Sequence, residues 1–160
     1  HLAKPAAELP CTVRIGTQNV DGFNEKAVST NVRHMHGTLH GALCHACEHR
    51  WPAPATKSPH DPCPACGTPA PRPDMVWFGE MPFYMEEIGL ALSKADVFVS
   101  IGTSGEVYPA ANFVAEADHY GAHTIELNLE PSAGASRFAE CRFGPASSIV
   151  PEWVEEELKR

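Results

Sequence analysis

Asp96-Val97-Phe98-Val99-Ser100-Ile101-Gly102-Thr103-Ser104 runs almost continuously apolar for the length of one strand, then stops at a glycine and two small hydroxyl residues. A short apolar run without polar alternation is the pattern of a strand covered on both faces, as in a parallel sheet. Upstream, Met85–Ser93 puts Ile88 and Leu92 on one helical face, and downstream Ala110–Tyr120 does the same with Phe113, Val114 and Ala117. Thr124–Leu129 reads as another strand. Pro151–Arg160 reads as a last helix, with Pro151 in its first turn and acidic residues early. Strand, helix, strand at these spacings needs crossover connections and therefore parallel pairing, so the fold class is α/β.

Toward the N-terminus, Thr12–Thr17 reads as a short strand, followed by Gln18-Asn19 and a turn at Asp21-Gly22. From His40 to Pro73 the composition changes. This stretch is rich in Cys, His and Pro and poor in large aliphatics, so it needs a staple other than a core. The staple is at hand: Cys44-x-x-Cys47, fifteen residues, then Cys63-x-x-Cys66. Each pair turns two thiolates to one side, and four complete a tetrahedron in the spacing of a zinc ribbon. A closed shell of four sulfurs leaves no position for substrate, so the metal is structural. His45, His49 and His60 are rival ligands that break the paired spacing, and two disulfides or free thiols are the alternative to metal. Cys11 and Cys141 stand alone and read as buried thiols.

Four further segments carry polar chemistry. Gly102-Thr103-Ser104 lies where open α/β sheets bind ligands, at a strand's carboxyl end, although many strands end this way simply to turn. Thr17-Gln18-Asn19-Val20-Asp21 suits an amide-bearing ligand; read alone, it is equally an Asx-turn with Asn19 and Asp21 bonding their own backbone. In His34-Met35-His36-Gly37, a histidine before a glycine has the pKa range of a general base, or packs structurally. Val76-Trp77-Phe78-Gly79-Glu80 is either a strand edge that pairs with an extended peptide or a piece of core.

Composition limits the function. The chain has 160 residues, 43% of them hydrophobic, and a net charge of −8. No apolar run approaches the about 20 residues that cross a bilayer. The acidic balance disfavours a zinc-ribbon nucleic-acid binder, because neutralising phosphates takes a basic face. Clustered cysteines without a secretion signal point to a reducing, cytoplasmic setting. The chain opens on His1 and reads as part of something longer.

Taken in order, Thr17–Asp21, His36-Gly37, the two Cys-x-x-Cys pairs, Val76–Glu80, Gly102–Ser104 and Asn128-Leu129-Glu130 resemble the sirtuin family over essentially the whole chain. Phe78–Pro82, Gly102–Ala111 and His119–Pro131 resemble its bacterial deacylase branch in particular. The resemblance implies a Rossmann-like NAD-binding domain from 1–39 and 74–160, without its first βα units, and an inserted Cys₄ zinc-binding module at 40–73. NAD would lie against Gln18, Asn19, Val20, Asp21, Gly102, Thr103, Ser104, Asn128, Leu129, Glu130 and Ala146. His36 would be the catalytic base, and an acyl-lysine peptide would pair with Val76, Trp77, Phe78, Gly79 and Glu80. The implied activity is NAD-dependent removal of acyl groups from protein lysines, giving nicotinamide and O-acyl-ADP-ribose. The alternative is a catalytically inactive sirtuin-like fragment that binds peptides beside its zinc ribbon. Three departures stand out: these residues hold no Gly-rich phosphate loop, Phe23-Asn24 replaces the usual Leu-His, and Val28 the usual Gly.

Overall fold

The computed structural model describes residues 12–159 apart from 28, 55 and 57. Expectations that fall on Cys11 and Val28 lie outside the described residues. The chain divides into two compact units, Arg14–Met85 and Glu86–Arg160, the second also taking in residues 12 and 13.

In the first unit, β1 (Ile15–Thr17) pairs in parallel with β2 (Val32–His34), Ile15 opposite Val32 and Thr17 opposite His34. The strand expected from Thr12 begins only at Ile15, because exposed Thr12 and Arg14 have no ladder to join. A one-turn helix, α1 (Phe23–Lys26), lies between the two strands. The Cys-rich stretch, which has no strand periodicity, forms an antiparallel sheet in the order β4-β3-β5: β3 (Gly37–Cys44) is central, flanked by β4 (Arg50–Pro52) and β5 (Pro71–Met75). The prolines fit because both outer strands are edges, where a missing N–H is tolerated. Burial in this unit centres on Met35, Ala42, Leu43, Cys44 and Cys63.

The second unit is the expected parallel layer. Its strands β6 (Val97–Ile101), β7 (His123–Asn128) and β8 (Glu140–Phe143) are ordered β6-β7-β8, all parallel. Three helices connect and flank them: α2 (Met85–Leu92), α3 (Phe113–His119) entered through a 3₁₀ turn at Ala110–Asn112, and α4 (Ala146–Glu157). The central strand β7 is buried from Thr124 to Leu127, while β6, with one strand partner among the described residues, is mostly half-buried.

The last helix corrects the sequence reading. It starts at Ala146, and Pro151 lies inside it rather than in its first turn. Ile149, Val150, Trp153 and Val154 form one stripe packed with Ile125 and Leu127, and that stripe straddles the proline. Pro151 removes one backbone bond, to the carbonyl of the exposed Ser147, which water can satisfy. Burying four large apolar side chains, at about 1.5–3 kcal/mol each, outweighs that loss. Among the described residues no helix is long and apolar enough to cross a membrane.

Candidate functional site

The four cysteines meet. Cys44 ends β3 and Cys47 lies in the turn after it; Cys63 and Cys66 frame a second turn. Both turns are closed by the same two backbone bonds. The first cysteine's N–H donates to the carbonyl five residues on, Cys44 to His49 at 2.9 Å and Cys63 to Thr68 at 3.0 Å. Its own carbonyl accepts from the residue four on, Glu48 at 2.9 Å and Gly67 at 2.8 Å. That fourth residue has a positive φ in each, 58° at Glu48 and 73° at Gly67. The chain thus builds one cysteine knuckle twice.

The four sulfurs lie within 4.8 Å of one another, with Cys44–Cys66 and Cys47–Cys63 both 3.7 Å apart. A disulfide needs about 2.05 Å, so the pairs are not bridged. A regular tetrahedron with Zn–S bonds of about 2.3 Å has edges of about 3.8 Å, which the two 3.7 Å separations match. Hydrogen bonds from the Thr68 hydroxyl and backbone, with Cys47 contributing, lower Cys66 to about 6. A backbone bond at His49 favours the Cys47 thiolate, but its bonds to the neighbouring sulfurs and desolvation push it up to about 12. Four cysteine sulfurs this close make a donor set that fits a zinc dication. No histidine belongs to the cluster; His49 stacks on Trp51 instead. Cys141 is a separate, half-buried thiol, raised first by burial.

The Thr17–Asp21 loop is pinned from several sides. Thr17 Oγ1 accepts from the Asn19 N–H at 3.1 Å, and Asp21 Oδ1 from the Phe23 N–H at 3.0 Å, so Asp21 does make the Asx-type turn. Met35 N–H donates to the Thr17 carbonyl and Leu39 N–H to that of Val20, both at 3.0 Å. His34 reaches the Asn19 carbonyl at 2.9 Å through Nδ1 and Glu25 at 2.7 Å through Nε2. Gln18 is half-buried and Asn19 exposed.

His36 is half-buried in the turn between β2 and β3, and its carbonyl accepts from the Val76 N–H at 3.0 Å. That bond brings the His-Gly motif against the start of the Val76–Glu80 segment. Gly37 makes the approach possible, since its φ is +85° and a Cβ there would lie 2.1 Å from the Asp74 carbonyl. Core packing does not describe Val76–Glu80: Trp77 is 51% and Phe78 fully exposed.

In the second unit the remaining residues converge on the carboxyl edge of the parallel sheet. Gly102, exposed and at φ +62°, follows β6, and its N–H donates to the Leu127 carbonyl at 3.0 Å. Asn128 ends β7, and its Nδ2 donates to the Thr103 carbonyl at 2.7 Å. Its backbone carbonyl accepts from Gly144 at 2.9 Å, just before Ala146 opens α4. Leu129 and Glu130 are exposed beside it. Glu126, fully buried behind this edge, accepts from the Ser132 N–H at 3.2 Å and from Asn128. A small recess of about 20 Å³, open to solvent, is lined by Ser100, Thr103, Gly105, Val114, Ser132 and Phe138 among others. Exposed backbone at Gly102 and hydroxyls at Thr103 and Ser104 lie at the carboxyl end of β6, the place where open α/β sheets bind ligands. Sequence reading missed Glu126, the Arg72–Glu80 pair and the bonds His34 makes to Asn19 and Glu25, because no local pattern marks these pairings.

The Sir2 family model matches residues 5–109, more than half of the chain. An NAD-dependent protein deacylase of Escherichia coli O6:H1 is 55% identical over 99% of this chain and 58% of its own length. The crystal structure of a Sir2 homolog–NAD complex superposes with a TM-score of 0.85 at 31% identity, over 98% of this chain and 65% of that one. Sir2Af2 bound to a myristoylated histone peptide gives 0.74 at 28%, over 92% and 65%. The chain therefore spans less than two thirds of the length of these relatives.

Proposed function

The chain belongs to the Sir2 family, and from that premise we propose that the protein uses NAD to remove acyl groups, acetyl and larger, from protein lysines, releasing nicotinamide and O-acyl-ADP-ribose. The observation that carries this reading is the edge where Asn128 bonds Thr103 and Gly144, next to the start of α4, in a chain 55% identical to a bacterial deacylase. Residues 1–39 and 74–160 serve as the NAD-binding portion and 40–73 as the zinc-binding module.

NAD, when bound, supplies an electrophilic ribose carbon and a nicotinamide leaving group. Gln18, Asn19, Val20 and Asp21 orient its amide end, and Gly102, Thr103, Ser104, Asn128, Leu129, Glu130 and Ala146 hold the adenosine end. His36 takes the proton of a ribose hydroxyl as general base. Val76–Glu80, which is an exposed turn after β5 and not the strand edge the sequence suggested, receives the acyl-lysine peptide. Cys44, Cys47, Cys63 and Cys66 hold a zinc that keeps β3 and its neighbours folded and takes no part in the chemistry. The substrates are acylated proteins of the cytoplasm, and nucleic acid and membrane are not partners.

The test is nicotinamide release from NAD by the full-length protein with acetyl- and succinyl-lysine peptides. His36→Ala should lower turnover by about 10²–10⁴ while zinc content and melting temperature stay near wild type. Unchanged turnover refutes the assignment of His36; peptide binding without nicotinamide release would favour the inactive, peptide-binding alternative.

A further inference from the structure

The segment Trp77–Met81 has almost no packing to hold it in place. Trp77 is 51%, Phe78 111% and Met81 74% exposed, and Gly79 sits at φ +87°. Exposed apolar residues around a glycine, without core contacts, have every entropic reason to be mobile. In this protein a side chain from the zinc ribbon, Arg72, ties the segment to β5.

Arg72 lies in β5 opposite Leu43, next to the pair formed by Cys44 and Pro71. Its guanidinium makes a two-pronged bond to Glu80, Nη1 to Oε1 and Nη2 to Oε2, both at 2.8 Å. Nη2 also donates to the Met75 carbonyl at 3.3 Å, and the guanidinium lies 4.3 Å over the Trp77 ring. Glu80 closes the turn from its side: Oε2 accepts from the Trp77 N–H at 2.9 Å, and its own N–H donates to the Trp77 carbonyl at 3.0 Å. Arg72 and the Trp77 N–H together lower the Glu80 carboxyl to about 2, so it stays ionised.

An exposed ion pair is ordinarily worth little, but this one departs from that case in three ways. The bond is bidentate, the Arg72 side chain is only 11% exposed, and the guanidinium touches the segment at two places, Glu80 and the Trp77 ring. Lysine cannot reproduce a planar fork that also stacks on an indole.

We propose that Arg72 is a positioning residue for peptide recognition: by clamping Glu80, the Met75 carbonyl and the Trp77 ring, it holds Val76–Glu80 in the form that receives the substrate chain. This rests on the assignment of Val76–Glu80 to the peptide. It gives the ribbon a reach into substrate binding through a side chain that is neither ligand nor catalyst.

The experiment is steady-state kinetics of the full-length protein, with acyl-lysine peptide and NAD varied separately, for wild type, Arg72→Ala and Arg72→Lys. Losing charge-assisted bonds of this kind should raise the peptide KM about ten-fold. The kcat, the NAD KM and the zinc content should stay near wild type, and Arg72→Lys should restore only part of the peptide KM. A purely structural role would instead lower melting temperature and the active fraction and leave the peptide KM unchanged; that result overturns the proposal. A wild type that releases no nicotinamide would refute the deacylase reading, and the clamp with it. An active wild type with normal peptide KM in Arg72→Ala refutes the clamp alone.

Discussion

Gly37→Ala tests why His36 is followed by glycine. Two penalties can be worked from the structure. Gly37 sits at φ +85°, a left-handed conformation that costs an L-residue about 1–2 kcal/mol. Its new Cβ would lie 2.1 Å from the Asp74 carbonyl and 2.7 Å from the Met75 Cα. Both are backbone atoms of β5, so relief requires pushing β5 away from β3, an overpacking term of about 1–3 kcal/mol. The sum, about 2–5 kcal/mol, is a large share of the 5–15 kcal/mol that holds a typical domain. Gly79→Ala is the internal control, because Gly79 has nearly the same φ, +87°, and nothing within 4 Å of its Cβ position. It should show the conformational penalty alone. Denaturant unfolding of both variants against wild type measures the difference. The same displacement would break the His36 carbonyl bond to Val76, so turnover of Gly37→Ala should fall further than its stability. If Gly37→Ala unfolds at the same midpoint as Gly79→Ala, the close approach of β5 does not explain the glycine and the reasoning fails.

Cys44→Ser should abolish stoichiometric zinc and unfold the β3–β4–β5 sheet, since a structural site returns on the order of 10 kcal/mol of binding energy to folding; metal analysis and circular dichroism decide it. Glu48→Gly should stabilise the first knuckle by up to about 1 kcal/mol, because Glu48 holds φ 58° where the second knuckle uses Gly67; a lower melting temperature refutes the equivalence of the two turns. The His34 bridge should be pH-dependent. Burial lowers the His34 pKa, but its bonds to the Asn19 carbonyl and Glu25, with Asp21 nearby, raise it overall above 6.5, while its bond to His34 lowers Glu25 below 4.5. The raised histidine stabilises below its unfolded pKa and loses that as pH rises through its folded value; the depressed glutamate stabilises above its unfolded pKa and loses that as pH falls through its folded value. The melting-temperature gap between wild type and His34→Ala should therefore be widest, at a few degrees, between about pH 4.5 and 6.5, and close toward pH 9; a gap independent of pH refutes the bridge.

What was legible in the sequence was local. Metal-ligand spacing is fixed by the reach of one turn, so Cys44, Cys47, Cys63 and Cys66 could be read without knowing the sheet that carries them. Strands β6 and β7 and helices α2 and α3 followed from apolar pattern, because each buries one face or two. Strand β8, Glu140-Cys141-Arg142-Phe143, offered no such pattern: it is an edge strand whose polar residues bond one another, Arg142 to Glu140 at 2.6 Å. Strands β4 and β5 were hidden by their prolines. Helix α4 was misplaced because a proline inside a helix contradicts local propensity and is tolerated only where a buried stripe compensates.

The candidate nucleotide edge shows why site motifs are harder to read than folds. Gly102-Thr103-Ser104 and Asn128-Leu129-Glu130 appeared as two separate strand ends, the first no more than an ordinary turn when read alone. Parallel pairing sets Ile101 opposite Leu127, which brings the two ends level. The Asn128 amide then spans the gap to the Thr103 carbonyl, and its side-chain oxygen takes the Leu129 N–H at 2.9 Å. Asn128 therefore holds the Gly-Thr-Ser backbone at Thr103, beside the Gly102 bond to Leu127, with buried Glu126 behind it anchoring the Ser132 turn. Replacing Asn128 by Asp would put a carboxylate where a donor is needed, against the Thr103 carbonyl, so the edge would open even with every strand in place. The chemistry at this edge belongs to a register between strands, and a register is a property of the folded sheet that neither motif carries alone.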